Sequence, residues 1–128
     1  MITKLNSTFD YDAVLIALTG SMEPHFGANV WKSSGHLHMW YPSQEAPATE
    51  WEKEIDNIFE KGVSELDLKK RKKLYDRWQK IVSDQVPMIY TVLPAALYAI
   101  HNKFGNTYPT PVGEMFHNIE RMFVKKMD

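Results

Sequence analysis

Three histidines lie close together in the chain and could bind a metal ion. His36 and His38 are separated by one residue, so an extended segment would point both rings to one side, and His25 precedes them. Imidazole is a common ligand of zinc and nickel. A structural metal site requires four fixed ligands, however, and the chain has no cysteine. We therefore expect histidines that pack within a loop or lie at the surface, with no metal and no other cofactor.

The serines near these histidines do not have the spacing of a catalytic nucleophile. A nucleophile elbow requires G-x-S-x-G, which the sequence lacks. The segment "GSMEPHFG", residues 20–27, matches neither a phosphate-binding loop nor a dinucleotide-binding fingerprint. Glu52 and Glu54 are two residues apart on a predicted helix, so their carboxylates do not face each other. We predict that the protein is not an enzyme.

Aromatic side chains are the stronger indication of a binding site. Trp31, Trp40 and Tyr41 lie in an irregular stretch, where flat rings can stack on a sugar or clasp an apolar side chain. The alternative is that these rings fix the stretch to the core, because tryptophan is usually well buried. Trp51 and Trp78 lie on predicted helical stripes, and we assign both to the core.

Two helices are predicted to support this stretch. Residues 49–52, "TEWE", form a capping-box pattern that begins the first helix, and Gly62 is expected to end it. Asp67 is a typical N-cap for the second helix, which Pro87 ends. A short helix is expected to begin at Pro24. The apolar stripes of the two long helices contain Trp51, Ile55, Ile58 and Phe59, and then Leu74, Tyr75, Trp78, Ile81 and Val82.

Two short apolar runs predict buried β-strands. They are "DAVLIAL", residues 12–18, and "MIYTVL", residues 88–93. Two strands are too few to form a sheet that buries both of its faces. The connection from residue 19 to residue 48 is also unusually long for a compact domain, unless it is functional. The sequence therefore predicts an α/β fold, with a partial sheet flanked by helices, that belongs to a larger protein.

The composition excludes several functional classes. The 128 residues suggest one domain, and the net charge of −1 gives no field that would attract nucleic acid or anionic lipid. No apolar run approaches the roughly 20 residues that span a bilayer. The first residues lack the apolar region of a secretory signal. The sequence is therefore that of a cytosolic protein or of a chain that lacks its natural N-terminus.

Several short motifs occur in a fixed order along the chain. They are "YDAVLIAL" at residues 11–18, "TGSMEP" at 19–24, "WEKEIDNIFEKG" at 51–62, D-x-x-K-R-x-x-L-Y-D-x-W-Q at 67–79, "PMIY" at 87–90 and "PTPVGEMFHNIE" at 109–120. Each motif is modest alone, and the ordered combination is specific. With these motifs the chain resembles the C-terminal part of the extracytoplasmic solute-binding proteins of ABC importers, in the branch that carries oligopeptides, dipeptides, nickel and some oligosaccharides.

This resemblance implies a two-lobed periplasmic-binding-protein-like fold with a cleft that closes on its ligand. Residues 1–108 would form part of one α/β lobe, and residues 109–128 would return toward the other lobe. The longer parent protein would be exported to the periplasm or another extracytoplasmic space, often with a lipid anchor. It would deliver its ligand to a membrane permease.

The resemblance also implies that the turn at residues 19–24 faces the ligand. In peptide binders, an aspartate four residues before the proline holds the ammonium group of the peptide, and that position is Gly20 here. The ligand class therefore stays open. We expect an oligopeptide, with an oligosaccharide stacked on two tryptophans as an alternative and a small metal-binding or interaction module that uses the histidines as another. The predicted ligand-binding residues are Thr19, Gly20, Ser21, Trp31, His38 and Trp40.

Two expectations concern the chain by itself. It should not bind peptide tightly, because the opposing lobe would be supplied by another part of the parent. Self-association is also expected where the two apolar runs lack neighbouring strands.

Overall fold

The computed structural model describes residues 3–18, 20–42, 44–93, 95, 97–110 and 115–126, apart from the side chain of Asn6. Tertiary contacts divide the chain into two units, Met1–Tyr90 and Thr91–Asp128. In coarse terms the fold is a mixed α/β structure, in which helices predominate over a short two-stranded sheet. The predicted boundary at residue 108 concerns the lobes of a larger protein and stays a prediction.

Two long helices form the centre of the first unit. A π-helical turn, Lys4–Thr8, comes first in the chain, and the predicted short helix follows as a 3₁₀ turn, Pro24–Gly27, that continues into helix α1, Ala28–Trp31. The long helices are α2, Glu50–Ser64, and α3, Leu68–Gln85. None of the described helices combines the length and the apolar character that crossing a membrane requires.

The predicted start signals of both long helices are confirmed. Thr49 Oγ1 accepts a hydrogen bond from the backbone N–H of Glu52 at 3.2 Å, and Glu52 Oε2 accepts one from the backbone N–H of Thr49 at 2.9 Å. Asp67 caps α3 by accepting from the backbone amides two and three residues later, at 2.8 and 3.1 Å. Helix α3 ends at Gln85, two residues before Pro87, as predicted.

Gly62 does not end α2, so this prediction is wrong. The helix continues to Ser64, and Gly62 lies buried inside it against Tyr75 of α3. A Cβ atom at Gly62 would lie 2.6 Å from Tyr75 Oη and 2.7 Å from Tyr75 Cζ. The glycine is therefore required for the close approach of the two helices, and not for a C-terminal cap.

The apolar stripes of α2 and α3 pack together in the core of the first unit. Phe59 is fully buried, and its ring lies nearly perpendicular to the rings of Tyr75 and Trp78, with 5.5 Å between centroids in each pair. Aromatic pairs favour this edge-to-face geometry. The buried core contains Trp31, Ile55, Ile58, Phe59, Tyr75, Ile81 and Val82. The predicted stripes therefore supply this core, together with Trp31 from α1.

The two predicted strands are wrong as elements of this structure. Residues 12–18 and 88–93 are irregular, and large side chains such as Leu15 and Leu93 are exposed. A strand requires a neighbouring backbone that completes its ladder of hydrogen bonds. Within the part of the chain that the structure describes, neither run has such a neighbour.

The second unit contains the short sheet. Strand β1, Phe104–Gly105, pairs antiparallel with strand β2, Phe123–Val124, and a 3₁₀ turn, Ile119–Arg121, precedes β2. The side chain of Asn106 donates to the carbonyl of Arg121 at 3.0 Å, which closes the ribbon. The sequence interpretation missed this ribbon, because strands of two residues are too short to show an alternating pattern.

Candidate functional site

A buried carboxylate organises the irregular stretch that the sequence predicts to bind ligand. Glu52 lies in the first turn of α2 and is only 2% exposed. Its Oε1 accepts hydrogen bonds from Trp40 Nε1 at 3.1 Å and from Gln44 Nε2 at 3.0 Å. Its Oε2 accepts from the backbone N–H and from the hydroxyl of Thr49, both at 2.9 Å. Glu52 therefore holds three residues of the segment that precedes α2: Trp40, Gln44 and Thr49.

His38 completes this network with its buried ring. Its Nδ1 lies 3.0 Å from the carbonyl oxygen of Val30, and its Nε2 lies 3.1 Å from Glu52 Oε1. A backbone carbonyl can only accept, and an ionised carboxylate also only accepts. Both ring nitrogens of His38 therefore lie within hydrogen-bond distance of an oxygen, and the ring links α1 to the first turn of α2.

The hydrogen bonds around Glu52 hold it in the ionised form. Burial by itself raises the pKa of Glu52, because a low-dielectric environment disfavours the charge. The hydrogen bonds from Gln44, His38, Thr49 and Trp40 outweigh this effect and lower the pKa to about 2. Its oxygens are already occupied by protein donors, so Glu52 acts as a structural anchor and not as an exchangeable acid.

A second carboxylate of α2 fixes the segment that follows α1. Asp56 Oδ1 accepts from the backbone N–H of Ser33 at 2.8 Å, and Asp56 also accepts from the Ser33 hydroxyl. Nearby, Lys32 forms an ion pair with Glu60 at 3.1 Å. Ser33 is buried, and its hydroxyl donates to Asp56.

The tryptophans predicted to stack on a ligand pack on one another. The ring centroids of Trp31 and Trp40 lie 5.7 Å apart, and Trp31 also contacts Trp78 at 5.2 Å. Trp40 contacts His38 at 3.9 Å and Trp51 at 6.3 Å. Trp31 is only 6% exposed. In this structure both rings therefore hold the loop to the helices, which is the alternative considered for them above.

The predicted ligand-facing turn lies at the surface. Gly20 and Ser21 are exposed, and a Cβ atom at Gly20 would meet no heavy atom within 4 Å. Ser21 Oγ lies 3.5 Å from the backbone N–H of Glu23, which donates to it. Thr19 lies outside the described residues.

Glu23 fixes the far end of this turn. Its Oε1 accepts from the backbone N–H of His25 at 3.3 Å, and its carboxylate forms an ion pair with Arg71 of α3. Desolvation raises the pKa of Glu23, but the hydrogen bonds from Arg71 and His25 and the charge of Arg71 more than offset this and lower it. The turn is therefore held in place while the residues before Glu23 stay accessible.

The predicted site residues fall into two groups. Trp31, His38 and Trp40 come together around Glu52, whereas Gly20 and Ser21 lie in the exposed turn. The sequence interpretation identified Glu52 only as part of a capping box and missed its role as the centre of the network. The capping box accounts for one carboxylate oxygen, and the donors to the other come from a loop whose path the sequence does not reveal.

The three histidines are used in different ways. His25 lies beside the ring of Phe59 at 5.9 Å between centroids, the backbone N–H of exposed His36 donates to Asn29 at 2.9 Å, and His38 is buried. Among the described residues, no group of three His, Asp or Glu side chains is placed to hold a metal ion.

Comparisons with protein-family models, with curated proteins and with solved structures found no match to this chain.

Proposed function

We propose that this chain is part of an extracytoplasmic solute-binding protein of an ABC importer and that the ligand is an oligopeptide. The parent protein would have the two-lobed periplasmic-binding-protein-like fold, would capture the peptide between its lobes and would deliver it to a membrane permease. The ordered motifs described above support this class. The observation in the structure that carries the proposal is the accessible turn that ends at Glu23.

This turn combines exposure with a fixed position. Gly20, Ser21 and Met22 are exposed, whereas Glu23 is bound to Arg71 and caps the 3₁₀ turn. Binding residues are often found on loops that a rigid scaffold positions. Peptide main chains are recognised largely by hydrogen bonds to backbone groups, which a glycine-containing turn leaves open. The turn is therefore suited to contact the backbone of a peptide.

The two alternatives have less structural support. Stacking of an oligosaccharide would require open tryptophan faces, but Trp31 is buried and Trp40 packs among other rings. A metal-binding role for the histidines would require His38 to leave its hydrogen bonds with Glu52 and Val30.

An NMR titration of the ¹⁵N-labelled chain with tetrapeptides tests the proposal. We expect amide shifts concentrated at Gly20, Ser21 and Met22, with weak affinity because one lobe binds alone. A glucose oligosaccharide serves as the control ligand and should leave these amides and the tryptophan indole resonances unchanged. The proposal would be wrong if millimolar peptide caused no shifts in this turn, or if the sugar alone shifted the indoles of Trp31 and Trp40.

A further inference from the structure

The turn that joins α2 to α3 exposes apolar side chains at one end of the helical pair. Leu66 and Leu68 are 93% and 77% exposed, and Val63 in the last turn of α2 is 58% exposed. These three side chains form the hairpin tip, which lies within the first unit. A single exposed leucine is ordinary, but three large apolar side chains within six residues indicate contact with an apolar environment.

The hairpin tip also carries an excess of positive charge. Among the described residues, four lysines in the last turn of α2 and the first turns of α3 form no ion pair: Lys61, Lys69, Lys70 and Lys73. The carboxylates of the turn are occupied locally, since Glu65 accepts from the backbone N–H of Asp67, and Asp67 accepts from two backbone amides of α3. Glu60, the next carboxylate back along α2, is paired with Lys32.

The lysines lie at the height of lipid headgroups when the hairpin tip enters a bilayer. An α-helix rises about 1.5 Å per residue, so Lys69, Lys70 and Lys73 lie within about 8 Å of the start of α3. Interfacial protein segments bury apolar residues about 5–10 Å into the boundary between headgroups and acyl chains. Because lysine has a long apolar stem, its ammonium group can stay at the headgroups while the leucines insert.

Charge and shape together favour an anionic bilayer as the partner. Each basic residue near an anionic surface strengthens binding about fivefold. The whole-chain net charge of −1 gives no long-range attraction to such a surface, but charges beyond about 8 Å are screened at physiological ionic strength. The lysines of the hairpin tip therefore determine the local interaction. A fluid lipid surface accommodates projecting side chains such as Leu66 without a matching pocket, which a protein partner would have to supply.

We propose that the turn between α2 and α3 binds the surface of an anionic lipid bilayer. Leu66 and Leu68 insert at the boundary between headgroups and acyl chains, and the four lysines contact the lipid phosphates. This contact is peripheral, so the chain does not span the bilayer. The interaction goes beyond the proposed peptide binding and does not depend on it.

Co-sedimentation of the chain with lipid vesicles tests this inference. Vesicles with equal parts of phosphatidylglycerol and phosphatidylcholine should bind the wild type more than about tenfold more tightly than vesicles of phosphatidylcholine alone. Raising the salt from about 0.05 M to about 0.5 M should weaken this binding. Lys69→Gln/Lys70→Gln should weaken it about 20-fold, and Leu66→Ser/Leu68→Ser about tenfold.

Two double variants serve as matched controls. Lys53→Gln/Lys80→Gln makes the same change in net charge at exposed positions more than about 15 Å along their helices from the turn. Leu15→Ser/Leu18→Ser removes apolar side chains that are exposed elsewhere in the first unit. Both variants should bind anionic vesicles like the wild type. An unchanged helical circular dichroism signal verifies that each variant is folded.

A fluorescent label shows whether the hairpin tip itself enters the lipid. Because the chain has no cysteine, Leu66→Cys gives a unique site for a nitrobenzoxadiazole dye, whose emission rises and shifts to shorter wavelength in an apolar environment. We expect this change on anionic vesicles. The same dye on Gln79→Cys, at an exposed position of α3 far from the turn, should show no change.

Several outcomes of these experiments would overturn the proposal. They are no binding by the wild type, equal binding to the two kinds of vesicle, wild-type binding by the lysine or the leucine variant of the turn, equal loss in a control variant, and a label at residue 66 that stays in water. Binding of soluble polyglutamate as tight as binding to anionic vesicles, with no loss in the leucine variant, would identify an acidic protein as the partner and would overturn it as well.

Discussion

Glu52 serves two elements at once, because each of its carboxylate oxygens has a different task. One oxygen closes the capping box that begins α2, and the other accepts from the side chains of His38, Trp40 and Gln44. Hydrogen bonds to a buried charge are stronger than those between neutral groups. Glu52, in the first turn of α2, therefore fixes the position of the long loop that precedes this helix.

We expect Glu52→Gln to destabilise the protein by about 2–4 kcal/mol. The amide would turn an NH₂ group toward the donors of the loop or toward those of Thr49. At least one buried hydrogen bond around this side chain would then be lost. Urea unfolding at pH 7 measures the difference. Glu50→Gln is the control, because Glu50 lies in the same helical turn with its side chain exposed, and it should leave the free energy of unfolding nearly unchanged. Equal effects of the two substitutions would contradict the role assigned to Glu52.

The contribution of Glu52 also predicts a dependence on pH. Folding lowers the pKa of this carboxyl from 4.5 to about 2, so the unfolded chain binds the proton more readily than the folded chain. The resulting stabilisation, about 3 kcal/mol, is complete above about pH 4.5 and is lost as the pH falls through 2. The stability difference between wild type and Glu52→Gln should therefore shrink across this interval. A difference that stayed constant from pH 5 to pH 2 would refute the assignment.

At the scale of elements, the packing of α2 on α3 depends on a glycine in the helix interior. Glycine costs helix stability relative to alanine by about 1 kcal/mol, so an alanine would normally be favoured at such a position. At Gly62, the ring and hydroxyl of Tyr75 occupy the space that a Cβ atom requires. The contact between the helices therefore outweighs helix propensity here.

We expect Gly62→Ala to lower the free energy of unfolding by about 1–3 kcal/mol, because the helices must move apart or Tyr75 must leave its position. Thermal and urea unfolding would measure this loss. Asn57→Ala, at an exposed position of the same helix, serves as the control and should have an effect close to zero. If Gly62→Ala were more stable than the wild type, Tyr75 would be able to move away from the new Cβ atom without loss of stability, and the role assigned to Gly62 would be wrong.

Helices and strands differ in how far the sequence predicts them. The starts of α2 and α3 could be predicted because Thr49, Glu52 and Asp67 act on backbone groups within three residues. The apolar runs at residues 12–18 and 88–93 have strand composition, but a strand needs a partner that local sequence does not supply. Gly62 was misinterpreted for the same reason, since its neighbour Tyr75 lies on another helix.

At the scale of the whole molecule, the proposed function depends on a difference in exposure. Trp31 is buried among other aromatic rings, whereas the turn at residues 20–22 is exposed. The sequence shows that Trp31 and Trp40 lie in one irregular stretch. It does not show that Trp78 contacts Trp31 or that Trp51 contacts Trp40. Those contacts come from the packing of distant elements, which residue spacing cannot show. The turn at residues 20–22 is left as the accessible part of the predicted site.

Gly20 provides the most direct test of this turn as a peptide site. Gly20→Asp would supply the carboxylate that peptide binders use for the ammonium group, in a position with free space and without positive φ. Calorimetric or NMR titrations would compare a tetrapeptide with its N-acetylated form, and Ser34→Asp would control for an added charge at another exposed turn. We predict that Gly20→Asp alone binds the free tetrapeptide about fivefold more tightly than wild type, a gain of about 1 kcal/mol, with no change for the acetylated form. Equal affinity of Gly20→Asp for the two peptides, or the same gain in Ser34→Asp, would contradict the assignment of this turn to peptide binding.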